Sequence, residues 1–160
     1  MPARTLPTLT GAQLTAIIDA RPPEIAKLTK AVLAKVRERL PGSVEMLYDK
    51  KNALVIGFCS AERASNVINS IAAYSKWINL YFFEGDTLPD PEGLLQGSGS
   101  MVRNIRVTDA AELDRPAVKA LMAEARKRAE PPLNRSAKPK ILPKRSSRKA
   151  PGSRPPAPGV

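Results

Sequence analysis

Residues 44–59 read VEMLYDKKNALVIGFC, and this stretch decides the fold. Its first six residues alternate in direction, with Val44, Met46 and Tyr48 on one face, which is the two-residue period of a strand. The polar letters DKKN supply a turn. ALVIGFC is apolar on both faces and therefore predicts a buried central strand. The stretch thus predicts two neighbouring antiparallel strands.

Three further strands are predicted downstream, in VINSIAAY (67–74), in WINLYFF (77–83) and from Val102 to Val107. β-Branched and aromatic residues are frequent in these runs, which favours strands. Because most of the connections are short turns, we expect an antiparallel meander of about five strands. Five of the seven aromatic residues fall between Tyr74 and Phe83.

Helical patterns flank the strands. The letters TGAQ (10–13) match a capping box that begins a short helix, which RPP (21–23) ends. PEIAKLTKAVLAKVRERL then repeats apolar residues at three- and four-residue steps until Pro41-Gly42. Helical spacing returns after Asp114. The pattern predicts an α+β fold, with N-terminal and C-terminal helices covering one face of the antiparallel sheet.

Three parts of the chain are predicted from these patterns. Residues 1–21 form a short helical segment, residues 22–129 form the folded domain, and residues 130–160 form a tail rich in Pro, Ser, Lys and Arg. The tail has few large apolar side chains to offset the entropy of ordering, so we predict that it is disordered.

The charge of the chain is strongly basic, with 26 Lys and Arg against 15 Asp and Glu, a net charge of +11. Such a balance suits anionic partners. Residues 131–160 contain basic residues and no acidic residue, so one hypothesis is that the tail binds nucleic acid or another polyanion. The candidate contacts are Lys138, Lys140, Lys144, Arg145, Arg148 and Lys149.

Cysteine usage and hydropathy indicate a cytoplasmic protein. Cys59 is the single cysteine, so no intramolecular disulfide can form. No stretch resembles a signal peptide or reaches the length of a membrane span, so we expect no membrane partner. Histidine is absent, which removes the usual base for activating a cysteine or serine. We therefore expect no enzymatic activity and no cofactor.

The segment LLQGSGSMVRNIRV (94–107) raises the question of a phosphate-binding loop. A P-loop requires a helix after its glycines and a GK[ST] ending, whereas a strand follows here. We interpret Gly97 and Gly99 as supplying positive φ where a short helical turn, begun at Pro91 and capped by Asp90, becomes a strand. An anion-binding backbone nest remains an alternative.

The segment PDPEGLLQGSGSMVRNIRV, preceded by WINLYFFEG, resembles the signature of the DUF1801, or YdhG-like, domain family. The resemblance extends from about Pro22 to Arg128, and Ser100 stands where many members have a lysine. It implies an α+β domain without a defined reaction, and some members carry an iron-chaperone, frataxin-like label. The matching positions are Trp77, Leu80, Phe82, Phe83, Gly85, Pro89, Asp90, Gly93, Leu94, Leu95, Gly97, Gly99 and Arg103.

Arg103 is the first candidate for a binding residue. It alternates with Ile105 and Val107, so it points to the core side of its strand and requires a partner or a cleft. Its expected partner is a nearby carboxylate or carbonyl, and the possible carboxylates include Asp90, Glu92 and Asp114. The candidate ligand-binding set is Arg103, Trp77, Tyr81, Gly97 and Gly99.

Asp86, Asp90 and Glu92 form the best acidic group for a metal such as iron, but their spacing matches no recognised ligand pattern. Capping and turn roles explain these residues better, so we expect no metal site. The favoured interpretation is a non-enzymatic module that binds a small ligand or a protein. Nucleic-acid binding through the tail and an iron-chaperone role remain alternatives.

Overall fold

The computed structural model describes residues 8–138 and 140–143. The described chain has an α+β architecture. The helices are α1 (Gly11–Asp19), α2 (Pro23–Arg39) and α3 (Pro116–Lys127). The strands are β1 (Val44–Asp49), β2 (Leu54–Cys59), β3 (Val67–Ala73), β4 (Ile78–Phe82), β5 (Arg103–Val107) and β6 (Lys140–Pro143). Short 3-10 turns precede β3, follow β4 and precede α3.

The sheet has the order β5-β4-β3-β2-β1-β6. Strands β1 to β5 form the antiparallel meander that the sequence predicts. The prediction of a purely antiparallel sheet is wrong, because β6 pairs with β1 in parallel and makes the sheet mixed. This sixth strand arrives after α3 and therefore reaches β1 by a crossover rather than by a hairpin.

Strand β6 lies inside the segment for which the sequence predicts disorder, but residues 140–143 are ordered as a strand. Ile141 is buried in the main core, opposite Glu45 of β1. Burial of this one isoleucine, together with the ladder to β1, opposes the entropy cost of ordering a Pro- and Lys-rich stretch. The predicted disorder of residues 144–160 falls outside the described residues.

One face of the sheet, which we call the inner face, packs against the helices. Leu47, Ile56, Ile71 and Leu80 lie in register across β1 to β4 and are buried in one cluster. The same cluster contains residues of all three helices, such as Leu14, Val32 and Leu121. The helices therefore cover one face of the sheet, as the sequence predicts.

The helix ends follow the local sequence. Thr10 Oγ1 accepts a hydrogen bond from Gln13 N at 3.0 Å, and Gln13 Oε1 accepts one from Thr10 N at 2.8 Å, which confirms the capping box. Pro23 occupies the first turn of α2, where its missing N–H is harmless. Gly42, with φ of 83°, turns the chain from α2 into β1.

No helix in the described part of the chain is long and apolar enough to cross a membrane.

Candidate binding surface on the outer face of the sheet

The candidate residues identified from sequence do not come together. Arg103 pairs with Phe82 and so lies on the inner face, as its alternation predicts. Tyr81 pairs with Asn104 and faces the opposite side, which we call the outer face. Trp77 lies on the outer face too, because Arg106 stacks on its ring. The sheet itself therefore separates Arg103 from the two aromatic residues, and a single cleft lined by all three is not formed.

Arg103 stabilises the loop that precedes its own strand. Its guanidinium donates to Gly99 O at 2.6 Å and to Val102 O at 3.0 Å. Its side chain also packs over Gly85, where an added Cβ would lie 2.5 Å from Arg103 Cβ. The partners are thus backbone carbonyls, one of the two kinds of partner expected from the sequence, and these contacts give the side chain a structural role.

The glycine segment is a turn that leads into β5. Gly97 has φ of 125°, as expected, but Gly99 does not have positive φ, and Gly93 does. The helical turn predicted after Pro91 is reduced to a single hydrogen-bonded turn, in which Gly93 N donates to Asp90 O at 3.0 Å. The Asp90 carboxylate accepts hydrogen bonds from Leu94 N and Leu95 N, both at 2.9 Å, which fixes the chain after that turn.

Gly97→Ala is expected to lower the free energy of unfolding by about 1 kcal/mol, because a β-carbon is unfavourable at positive φ. The nearest atom to the new Cβ, Val102 O, lies at 3.4 Å, so sterics add little. Urea denaturation measures the change. Gly99→Ala is the matched control, since that glycine lacks positive φ and its added Cβ lies 3.8 Å from the same oxygen. Equal losses in both variants would contradict the explanation.

Asp90 and Glu92, and Asp114 farther along the chain, have separate structural partners. Asp90 is occupied by the two backbone N–H groups described above, and Glu92 lies 3.6 Å from Arg115. Asp114 pairs with Lys35 and Arg39, and these cations hold the pKa of its carboxyl below the usual value. Among residues 8–138 and 140–143 no group of three or more His, Cys, Asp or Glu is arranged to hold a metal ion.

Calorimetry with ferrous iron under anaerobic conditions is expected to give no saturable heat at micromolar protein. Asp90 would have to abandon two backbone hydrogen bonds to act as a ligand. Saturable binding that disappears in the Asp86→Ala, Asp90→Ala, Glu92→Ala variant would contradict this expectation and support the iron-chaperone label.

The outer face carries an aromatic and polar cluster at one end of β3 and β4. Tyr74 Oη and Tyr81 Oη lie 3.1 Å apart, and Asn79 Nδ2 donates to Tyr81 Oη at 3.2 Å. Asn79 is 7 % exposed, and its Oδ1 has no hydrogen-bond partner among the described residues. A buried acceptor without a partner is costly, so this part of the outer face contains a polar group that the described residues leave unsatisfied.

Trp77 and Arg106 extend this cluster to the edge of the sheet. The Arg106 guanidinium carbon lies 4.2 Å from the centre of the Trp77 ring, and the Tyr74 ring centre lies 5.8 Å from it at 42°. Arg106 is exposed and forms no ion pair with the described acidic residues. The indole therefore fixes a guanidinium whose N–H groups remain available to an anion.

An open groove of about 900 Å³ adjoins the cluster. Tyr74 and Trp77 form one wall, and the turn between β1 and β2, with Lys50 and Lys51, forms another. Residues from the end of α1 to the start of α2 close the third side. Asp49, the acidic residue of the groove, is already paired with Arg21 at 2.8 Å. The groove thus combines aromatic surface with an excess of positive charge.

Protonation keeps the cluster free of negative charge. Burial, together with the hydrogen bond to Tyr81, raises the pKa of the Tyr74 hydroxyl well above its usual value. Tyr74 is therefore neutral at physiological pH. The neutral Tyr74 hydroxyl adds no negative charge beside the unpaired cations, so the local potential stays positive.

The aromatic residues Tyr74, Trp77 and Tyr81 could be grouped from the sequence, whereas Asn79 and Arg106 were not identified as their partners. The two-residue period of β5 places Arg106 on the face opposite Arg103, which the sequence alone could show. The same period places Trp77, Asn79 and Tyr81 on one face at the start of β4 and along it, and this was the signal that could have grouped these three residues. The proposed tail contact Lys140 pairs with Glu62.

Comparison with protein-family models, with curated proteins and with solved structures finds no match to this chain.

Proposed function

We propose that this chain is a non-enzymatic binding module of the YdhG-like (DUF1801) type, whose outer sheet face and adjoining groove receive an anionic ligand or partner. The observation that carries the proposal is the Trp77–Arg106 stack beside Asn79. It combines a fixed cation, an aromatic surface and an unsatisfied buried acceptor within one cluster. Binding sites have this composition, with apolar walls and a few oriented polar groups.

The absence of histidine from the sequence supports a binding role over catalysis. Cys59, the single thiol, is buried and therefore poorly placed as a nucleophile. Burial raises the pKa of the Tyr74 hydroxyl, which suits hydrogen bonding rather than proton abstraction at neutral pH.

Trp77 offers a direct test because it is the single tryptophan of the chain. Its indole Nε1–H gives one resonance in a nitrogen–proton correlation spectrum of the labelled protein. A panel of small anions, nucleotides, amino acids and acidic peptides is titrated while this resonance is followed. We expect at least one class of anion to shift it saturably.

Arg106→Gln is expected to weaken that binding about tenfold or more, because hydrogen bonds to charged groups contribute about 1.5–3 kcal/mol. Arg63→Gln is the matched control, since Arg63 is exposed on a loop that does not line the groove. Ligands that bind without moving the indole resonance, and that are insensitive to Arg106→Gln, would place the site elsewhere and contradict the proposal.

A further inference from the structure

We infer that the ligand of this surface is a single-stranded nucleic acid, which lies along the end of the folded sheet. The inference rests on the proposed function and names its ligand class. Its contacts would come from what we call the basic rim, formed by Lys50, Lys51, Lys76 and Arg106, and from the aromatic residues Tyr74 and Trp77 between them.

Topology places the basic rim along one end of the sheet. The β1–β2 turn holds Lys50 and Lys51, and the β3–β4 turn holds Lys76. Arg106 lies at the same end, because Val107 pairs with Ile78 directly after the β3–β4 turn. Adjacent strands lie about 4.8 Å apart, so the rim spans roughly 17 Å from the first turn to β5.

The charges of the basic rim are not neutralised within the described protein. Its four side chains form no ion pair with the described acidic residues. The acidic groups at this end have other partners, since Asp49 pairs with Arg21 and Asp109 caps a 3-10 turn through Ala111 N. A row of unpaired cations of this length suits several phosphates in sequence better than one isolated anion.

Single-strand binding needs surfaces for base stacking as well as cations for the phosphates, and the aromatic residues supply these surfaces. Unpaired bases stack on aromatic rings and on arginine guanidinium planes. Arg106 Cζ already lies over the Trp77 ring, 4.2 Å from its centre, so a guanidinium is positioned beside an aromatic surface where a base could stack and a phosphate could accept its N–H groups. Paired bases in a duplex do not expose the faces that this arrangement uses, which favours a single strand.

A second basic cleft allows a matched comparison. It lies on the helical side of the protein, has a volume of about 690 Å³, and is lined by residues that include Arg39, Lys119, Arg126 and Lys127. No tyrosine, tryptophan or phenylalanine lines it. A purely electrostatic interaction would use this cleft as well as the basic rim, whereas stacking would not.

The test uses the full chain and fluorescently labelled single strands of roughly 10 nucleotides, within the range of known single-strand sites. Anisotropy measures affinity for DNA, for RNA and for the corresponding duplex at several salt concentrations. We expect the single strand to bind at least tenfold more tightly than the duplex. Unlabelled strands should also change the Trp77 fluorescence.

Two variants with the same loss of positive charge distinguish binding at the basic rim from nonspecific electrostatic attraction. In one, Lys50, Lys51 and Lys76 are replaced by glutamine. In the control, the exposed helical residues Lys27, Lys119 and Lys127 are replaced by glutamine. The rim variant should reduce the slope of log affinity against log salt by about 2, because each lost phosphate contact removes about 0.7. The control should leave the slope nearly unchanged.

Trp77→Ala should weaken binding by about tenfold or more, since stacking on one aromatic residue contributes substantially to affinity. Trp77→Phe keeps a ring at the position and should retain most of the affinity, which guards against a folding defect in the alanine variant. Arg106→Gln should weaken binding with folding intact, because Arg106 is exposed.

Three outcomes would overturn the inference. Equal losses in the rim and control variants would show nonspecific attraction. Equal affinity for the duplex, or for an acidic peptide with the same sensitivity to the rim variant, would exclude single-strand recognition. No strand binding, while small anions still move the indole resonance, would reject the nucleic acid and leave the proposed function standing.

Discussion

A chain that ends after Lys138 is expected to unfold roughly 10 °C below the full-length protein. Such a chain lacks β6, which exposes the edge of β1 and removes Ile141 from the core. Burial of an isoleucine contributes about 1.5–3 kcal/mol, and each lost hydrogen bond of the ladder adds about 1 kcal/mol. A total near 3 kcal/mol corresponds to a shift of that size for a domain of this length.

The matched control is a chain that ends after Pro143, which retains every contact described above. Thermal unfolding followed by circular dichroism compares the two truncations with the full chain. The sequence alone predicts no effect from removing the entire tail, so the experiment discriminates between that prediction and the structure. Equal melting temperatures for both truncations would mean that β6 does not contribute to stability.

Gly42→Ala is expected to reduce the free energy of unfolding by about 2–5 kcal/mol. Gly42 has φ of 83°, and an added Cβ would lie 2.0 Å from the backbone oxygen of Asn134. The left-handed conformation costs a non-glycine residue about 1–2 kcal/mol. The close contact is with backbone, which cannot rotate away as a side chain can, so displacement of the C-terminal segment adds about 1–3 kcal/mol.

Gly97→Ala serves as the control for Gly42→Ala. Both positions have positive φ, but the new Cβ at residue 97 meets no atom closer than 3.4 Å. The difference between the two losses therefore measures the packing of the segment around Asn134 against the α2–β1 turn. Urea denaturation provides both values. A loss at Gly42 no larger than that at Gly97 would show that the segment moves aside without cost.

The meander and the helices were predictable because their signals are local. The two-residue alternation of β1, the capping box at Thr10 and the apolar spacing of α2 each specify an element within a few residues. Strand β6 was not predictable in this way. Its four residues have no strong local preference, and they are ordered by Ile141 entering a core formed elsewhere in the chain.

The candidate site was predictable only in part, for a similar reason. Alternation places Arg103 on the core side and Arg106 on the opposite face, but it cannot show which side chains of the neighbouring strand lie beside them. The resemblance to the YdhG-like signature directed attention to Arg103 and the glycines, whose contacts are structural. The Trp77–Arg106 stack joins a residue of the β3–β4 turn to a residue of β5. The sequence could not show this contact, because it depends on the pairing register between β4 and β5.

The position of β6 also bears on the order of events during synthesis. Leu9 N donates to Ile141 O at 2.8 Å, so the stretch that enters α1 contacts a strand that is made more than a hundred residues later. During synthesis, the outer edge of β1 and the backbone N–H of Leu9 would lack these hydrogen-bond partners until residues 140–143 emerged from the ribosome. Completion of this fold is then expected only after residue 143 has emerged, and a nascent chain stalled before residue 140 should remain accessible to protease at its first helix.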